Sequence, residues 1–308
     1  MTLQQLHYII SVADYQHFGK ASEACGVTQS TLSVMIQKLE SELDVVLFDR
    51  KKQPIVPTAI GQKLIDQARV IIYHTSQFEE MVEEERTKEY GEVTIGVIPT
   101  VAPYILPALF KEIKGSASQL NLEVSEMTTA RLLHKLERAE IDMALLATPL
   151  NHPDLLEVPI YYEKFYGYIS PTHPLYDKES ISADELNDGQ MWVLKEGHCL
   201  RDQVFNFCTH SSKHLGMYEA GSIATLIRIV DLNGGYTIIP ELHIDLLSEE
   251  QKGHIRPLHK PEHVREISLV IRRDYVKERL LNIIVDTVKK IIPASMVDAR
   301  LKKFAVKL

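Results

Sequence analysis

The apolar positions of this chain change period along its length, and each change marks a different kind of element. Leu3, Leu6, Ile10 and Ala13 recur three and four apart, which predicts a helix with one buried face. His17-Phe18-Gly19 interrupts it. Ala21 and Ala24 then fall on one side of a short helix ended by Gly26, a residue suited to the left-handed position after a helix. Thr28 can cap the next helix through its hydroxyl, and Leu32, Ile36, Leu39 and Leu43 form the buried stripe of that helix. Two helices joined by a short turn and packed through small residues predict a helix-turn-helix.

The polar positions of the second helix carry the first functional signal. It begins TQSTLSVMIQ, and Gln29, Ser30, Thr31, Ser33 and Gln37 avoid the apolar stripe. Short hydroxyls and amides near a helix N-terminus suit base edges and phosphates of double-stranded DNA. The next stretch, VVLFDRKKQPIVPT, reads as a β-wing, with Arg50 and Lys51 at a basic tip. Residues 1–58 are therefore expected to form a winged helix-turn-helix domain, with Cys25 as a packed core residue.

From Ile60 the period becomes that of a long helix. Apolar residues stand at 60, 64, 68, 71, 78 and 82, with Thr75 filling the gap. Alternating spacings of three and four make a coiled-coil-like seam. The helix runs into the charged stretch EEMVEEERTKEYG and stops at Gly91. A single apolar stripe needs a partner, and the same helix of a second subunit supplies one. Residues 59–90 are thus expected to be a linker and dimerisation helix, with Ile60, Leu64, Ile71 and Phe78 at its contact.

After Gly91 the pattern alternates as strands do. Val93, Ile95 and Val97 predict one strand, Leu122 and Val124 another, and 142–147 a third, with helices between, one over about 130–138. Further strands are expected at 165–169, 191–194, 236–239 and 267–271. Strand alternating with helix implies an α/β domain with a parallel sheet over 91–308. Ligands in such sheets bind off the carboxyl ends of strands. Thr100 and Thr129 stand at two such ends, where each can also simply cap the following helix.

Composition narrows the classes. The 308 residues carry a formal charge of −8, and residues 1–58 hold five Lys/Arg against six Asp/Glu, so bulk charge does not announce a DNA binder. No apolar run approaches the roughly 20 residues that cross a bilayer, and MTLQQLHYII lacks the basic start of a signal peptide, so a cytoplasmic protein with no membrane partner is expected. Three cysteines in a reducing compartment are no structural disulfide framework.

Two of those three lie in KEGHCLRDQVFNFC, at Cys199 and Cys208. They can be small buried hydrophobes, zinc ligands with His210 and His214, a catalytic thiol pair, or a redox sensor. The zinc reading lacks a CxxC knuckle, and an enzyme would need a recycling dithiol that is not evident. Neither a metal nor a cofactor is expected. Cys199 opens the stretch LRDQVFNF, a helix by pattern, where backbone N–H groups, Arg201 or His198 would stabilise its thiolate. Cys208, beside Phe205 and Phe207, suits a quieter thiol. On one helix the two Cα atoms would stand about 13.5 Å apart, whereas a disulfide needs roughly 4.4–6.8 Å. Bond formation would then unwind the segment, which makes a redox-driven conformational switch the favoured reading.

The run HFGKASEACGVTQSTLSVMIQKLESELDVVLFDR, with Leu47-Phe48-Asp49-Arg50 and then Thr58-Ala59-Ile60-Gly61, resembles the LysR-type transcriptional regulators. Asp44 stands where that family usually has Gly, and Ile60 where it usually has Ala, which touches packing more than function. The block GHCLRDQVFNFC and the stretch GVIPTVAPYILP resemble the peroxide-sensing members of the family, over about residues 1–290. The resemblance implies a two-lobed regulatory domain like type 2 periplasmic binding proteins, with lobe I at about 91–161 plus 267–300 and lobe II at about 162–266. It implies Cys199 as peroxidatic and Cys208 as resolving cysteine, and Thr100, Thr129, His198 and Arg265 as the peroxide pocket. It also implies a homodimer or homotetramer, operator DNA, RNA polymerase as partner, hydrogen peroxide as signal and a thiol reductant for resetting. Two other functions stay in view: a LysR-type regulator answering a small organic effector between its lobes, and a thiol peroxidase, against which the 1–58 pattern argues.

Overall fold

In the computed structural model, residues 1–86, 91–116, 120–186, 190–207, 220–259 and 263–297 are described. The chain divides into two compact units, one essentially residues 1–88 and the other the remainder. Among the described residues no helix is long and apolar enough to cross a membrane.

The first unit opens with α1 (Leu3–Tyr15), α2 (Phe18–Ala24) and α3 (Gln29–Leu43). The side chain of Thr2 caps α1 in a box with Gln5, and the ring nitrogen of His17 caps α2. Gly26, at φ +65°, takes the left-handed turn between α2 and α3, and Thr28 caps α3 as its position predicts. The core is Leu6, Tyr8, Ile9, Val12, Phe18, Ala21, Leu32, Ile36, Leu39, Leu47 and Phe48. Burying each large aliphatic side chain contributes about 1.5–3 kcal/mol.

Three stripe positions depart from expectation. Leu3, Ala24 and Leu43 are exposed, and α1 turns Gln5, Tyr8, Ile9 and Val12 inward instead. The wing is β1 (Phe48–Asp49) antiparallel to β2 (Val56–Pro57). Asp44 sits just past α3 at φ 52°, so the family's glycine at this place answers a backbone need, not a packing one.

Helix α4 (Ala59–Arg86) covers the predicted seam. Its first half does have a core of its own to face: Ile65 and Ala68 are buried in the helix-turn-helix core, and Leu64, Ile71 and Ile72 pack against it. Ile60, Phe78, Met81 and Val82 stay exposed.

The second unit is a two-lobed α/β domain on one curled sheet. Strands β3 (Gly91–Val97), β4 (Leu120–Glu126) and β5 (Met143–Thr148) are parallel neighbours, with α5 (Ala102–Ser116) and α6 (Thr129–Glu137) as crossovers. The sheet is not parallel throughout. The 15-residue β6 (Leu155–Ile169) and the last strand, Val264–Arg272, run antiparallel to each other, and the latter antiparallel to β5.

Lobe II adds β7 (Ile181–Ser182), α7 (Cys199–Phe207), α8 (Ile223–Asn233), β8 (Tyr236–Pro240), α9 (Glu249–Lys252), β9 (Ile255–His259) and the 3-10 helix Glu241–Leu246. The last strand is thus β10, followed by α10 (Glu278–Ile291). The overall order is β4-β3-β5-β10-β6-β9-β7, with β8 on β6. The strand expected at 191–194 is only two isolated bridges, Met191 to Tyr236 and Leu194 to Ala220. The N-terminal part of β6 pairs with β10, and its C-terminal part pairs with β8 and β9. One long strand therefore passes from lobe I into lobe II, and what lies at the passage is shared by both.

Candidate functional site

Glu163 and Arg265 face each other across β6 and β10 at that passage. Both side chains are 0% exposed. Arg265 Nε donates to Glu163 Oε1 at 2.7 Å, Nη1 to Thr100 Oγ1 at 2.9 Å, and Nη2 to the Thr100 carbonyl at 2.9 Å and the Tyr104 hydroxyl at 2.5 Å. Burial works against the Arg265 charge, but Glu163, then Tyr104, Tyr161 and Cys199, hold the guanidinium above its usual range. Removing one partner of such a pair typically costs about 3–5 kcal/mol. Burial also holds the Tyr104 and Tyr161 hydroxyls above the usual phenol range.

The thiol of Cys199 comes to this group from lobe II. Gly197, at φ +92°, turns the chain so that His198 and Cys199 enter α7 buried. Burial pushes the thiol up. Against this act the Arg265 charge, then the Thr129 hydroxyl, then backbone groups of Leu200 and of Ala147 at the end of β5. Thr129 thus faces the thiol from lobe I, although its Oγ1 completes no full hydrogen bond. The cation beside Cys199 is Arg265 and not, as the sequence led us to expect, Arg201 or His198. Arg201 lies over the Phe205 ring, 5.4 Å from its centroid. Burial, then Lys195, pushes the His198 imidazole down, so it is neutral at pH 7.

The structure brings Thr100 and Arg265 together by direct hydrogen bond and sets Thr129 beside Cys199. His198 is buried just before Cys199 in the chain, and neither of its ring nitrogens has a hydrogen-bond partner among the described residues. Sequence reading missed their neighbours. Gln203, one turn along α7 from Cys199, is 0% exposed, and neither amide atom has a hydrogen-bond partner. Its place in the helix at i+4 was the available signal. Tyr104 follows Thr100 by four residues into α5 and carried the same spacing signal. Tyr161 and Glu163 on β6 and His243 on the 3-10 helix gave none, because chain folding alone brings them to the site. Cys208, His210 and His214 lie outside the described residues, as do their expected pairing and any zinc site they would form.

In the first unit, α3 exposes Gln29, Ser30, Thr31 and Gln37, and half-exposes Ser33. The Ser30 and Thr31 hydroxyls are within 2.9 and 2.8 Å of the capping Thr28 hydroxyl. Val34, apolar and 60% exposed, shares this face, where it suits contact with a thymine methyl; the sequence reading passed over it. Arg50 is turned back onto α3, with Nη2 donating to Glu40 at 2.8 Å and Nη1 to Ser33 at 3.4 Å, and it stacks over Phe18. Lys51 is exposed at the wing tip.

Residues 3–62 match the bacterial regulatory helix-turn-helix of the lysR family, and residues 86–290 match the LysR substrate binding domain. The chain belongs to the LysR family of transcription regulators, in its OxyR branch. It is 34% identical over 301 residues to the hydrogen peroxide-inducible genes activator of Haemophilus influenzae, covering 95% of this chain and 99% of that one. It is 32% identical over 273 residues to OxyR of Escherichia coli K12, a DNA-binding transcriptional dual regulator, covering 88% and 90%. Among solved structures, a full-length cysteine variant of OxyR from Pseudomonas aeruginosa superposes with a TM-score of 0.79 at 32% identity, over 94% of this chain and 98% of that one. Reduced OxyR from Porphyromonas gingivalis gives 0.63 at 37% identity, over 70% and 99%. OxyR membership makes this chain a DNA-binding regulator and not a thiol peroxidase.

Proposed function

We propose that this OxyR-type chain senses hydrogen peroxide through Cys199 and switches operator binding by a reversible Cys199–Cys208 disulfide. The observation that carries the reading is the buried Cys199 thiol at the start of α7, facing the charge of Arg265 and the hydroxyl of Thr129 across the two lobes. Thr100, Thr129, His198 and Arg265 line the peroxide pocket. The thiolate attacks one peroxide oxygen; the S–O bond forms, the O–O bond breaks, and the leaving hydroxide takes a proton and departs as water. Cys208 then attacks the sulfenic acid, a second water leaves, and a thiol reductant later returns the two electrons.

Helix α7 spans Cys199–Phe207, so its ends stand about 12 Å apart, and closing the disulfide requires the helix to unwind. The output is DNA contact by Gln29, Ser30, Thr31, Ser33 and Gln37 on α3 and by Arg50 and Lys51 on the wing. The winged helix-turn-helix is residues 1–58, the linker 59–90 and the regulatory domain 91–308. The exposed residues of α4 pair two copies, regulatory domains join dimers into tetramers, and RNA polymerase is the partner at the promoter.

The test is a thiol count by mass before and after stoichiometric peroxide, with operator footprinting on both forms. Two thiols lost together and a changed footprint are the expected result. Cys199→Ser abolishes both changes, because serine offers no thiolate; Cys208→Ser leaves a persistent sulfenic acid. A Cys199→Ser protein that still answers peroxide would sink the reading.

A further inference from the structure

Arginine donates hydrogen bonds and accepts none, so Thr100 Oγ1 must be the acceptor of its 2.9 Å bond with Arg265. The hydroxyl's own hydrogen finds no acceptor among the described residues, which leaves it free to donate into the cleft. What fixes this polarity is the orientation of Arg265, and two residues outside the peroxide pocket hold that orientation. Glu163 Oε1 takes one edge of the guanidinium, with both Nε and Nη2 at 2.7 Å. Its other oxygen accepts from the Leu242 amide at 3.3 Å, which ties the carboxylate to the 3-10 helix of lobe II. The Tyr104 hydroxyl sits 2.5 Å from Arg265 Nη2, 2.5 Å from the Thr100 carbonyl and 3.2 Å from Glu163 Oε1.

We propose that Glu163 and Tyr104 are positioning residues for the peroxide reaction, a clamp that fixes the Arg265 fork and thereby keeps the Thr100 hydroxyl as a donor. The proposal rests on the peroxide reading above. As the thiolate attacks, negative charge grows on the departing peroxide oxygen, and donors already in place stabilise it. Alkylation by iodoacetamide forms an S–C bond and expels iodide, which needs no such donors. Both reactions use the thiolate, so any change in thiolate fraction cancels in their ratio, and loss of the clamp slows oxidation more than alkylation. A merely structural role for Glu163 or Tyr104 would lower both rates together.

The experiment follows both rates at Cys199 by mass spectrometry on reduced, full-length protein: wild type, Y104F, E163A and E163Q. Y104F removes one hydroxyl and no charge, so it tests the clamp even where E163A does not fold. Wild type should favour peroxide strongly. The ratio of oxidation to alkylation should fall about tenfold in E163A and several-fold in Y104F. E163Q, whose amide oxygen can still accept from Arg265, should recover most of the loss. An unchanged ratio in Y104F, or parallel loss of both rates, overturns the clamp while the peroxide reading stands. A wild-type protein with no preference for peroxide overturns the peroxide reading itself.

Discussion

At Cys199 burial and charge pull in opposite directions, and burial is the larger. A raised thiol pKa means that the thiolate fraction keeps climbing above the ordinary thiol range, so the alkylation rate should still rise with pH where a free cysteine has levelled off. Arg265→Gln removes the strongest opposing influence, so it should raise the thiol pKa further and slow alkylation at pH 7; a pH–rate profile of both proteins checks this. His243 behaves oppositely. Burial, then Arg265, pushes its imidazole down to about 4. The folded protein keeps it neutral while the unfolded chain binds a proton below about 6.5. Its contribution is therefore present above pH 6.5 and lost as pH falls toward 4, by up to roughly 3 kcal/mol. Urea midpoints between pH 7 and 4.5 should fall more steeply for wild type than for His243→Gln; equal slopes would remove His243 from the account. At Asp44 the left-handed backbone is the cost, and Asp44→Gly should raise the stability of the first unit by about 0.5–1 kcal/mol in a thermal melt.

Among the elements, α4 shows how one apolar stripe can serve two purposes. Ile65, Ala68, Leu64 and Ile71 complete the core of their own unit, whereas Phe78, 71% exposed, has no such task. Phe78→Asp should therefore convert the assembly to a smaller species in sedimentation with little change in melting temperature. Ile71→Asp should lower both, since it also places a charge against a core. A full-sized assembly from Phe78→Asp would show that the helix does not carry the dimer. On α3, Gln29→Ala should relax operator preference, while Arg50→Ala should reduce the salt slope by about one if the arginine leaves Glu40 to meet phosphate. Element existence was legible because α3, α4 and β3 show a period and β5 is a short continuous apolar run, buried throughout. The stripe on α1 was misread by about one position, because Gln5 and Tyr8 are buried despite their polar atoms. The 191–194 segment has strand-like residues but pairs only at its two ends.

For the whole molecule, oxidation should remove or redistribute amide hydrogen-exchange protection across 199–207 while leaving 1–58 internally unchanged. Unaltered protection with a disulfide confirmed by mass would mean that the two cysteines already stand within bonding reach. Sequence alone determined the helix-turn-helix, the long helix, the alternating α/β region and Cys199 at a helix start, because local periodicity and capping are written in neighbouring residues. Resemblance of short motifs added the residues proposed for the peroxide pocket. Tertiary structure alone decided that the last strand returns antiparallel between β5 and β6, that Arg265 rather than Arg201 is the cation at the thiol, and that Glu163 and Tyr104 hold it. Those facts depend on pairings such as 163 with 265 and 100 with 265, and contacts between residues so far apart in the chain leave no period to read.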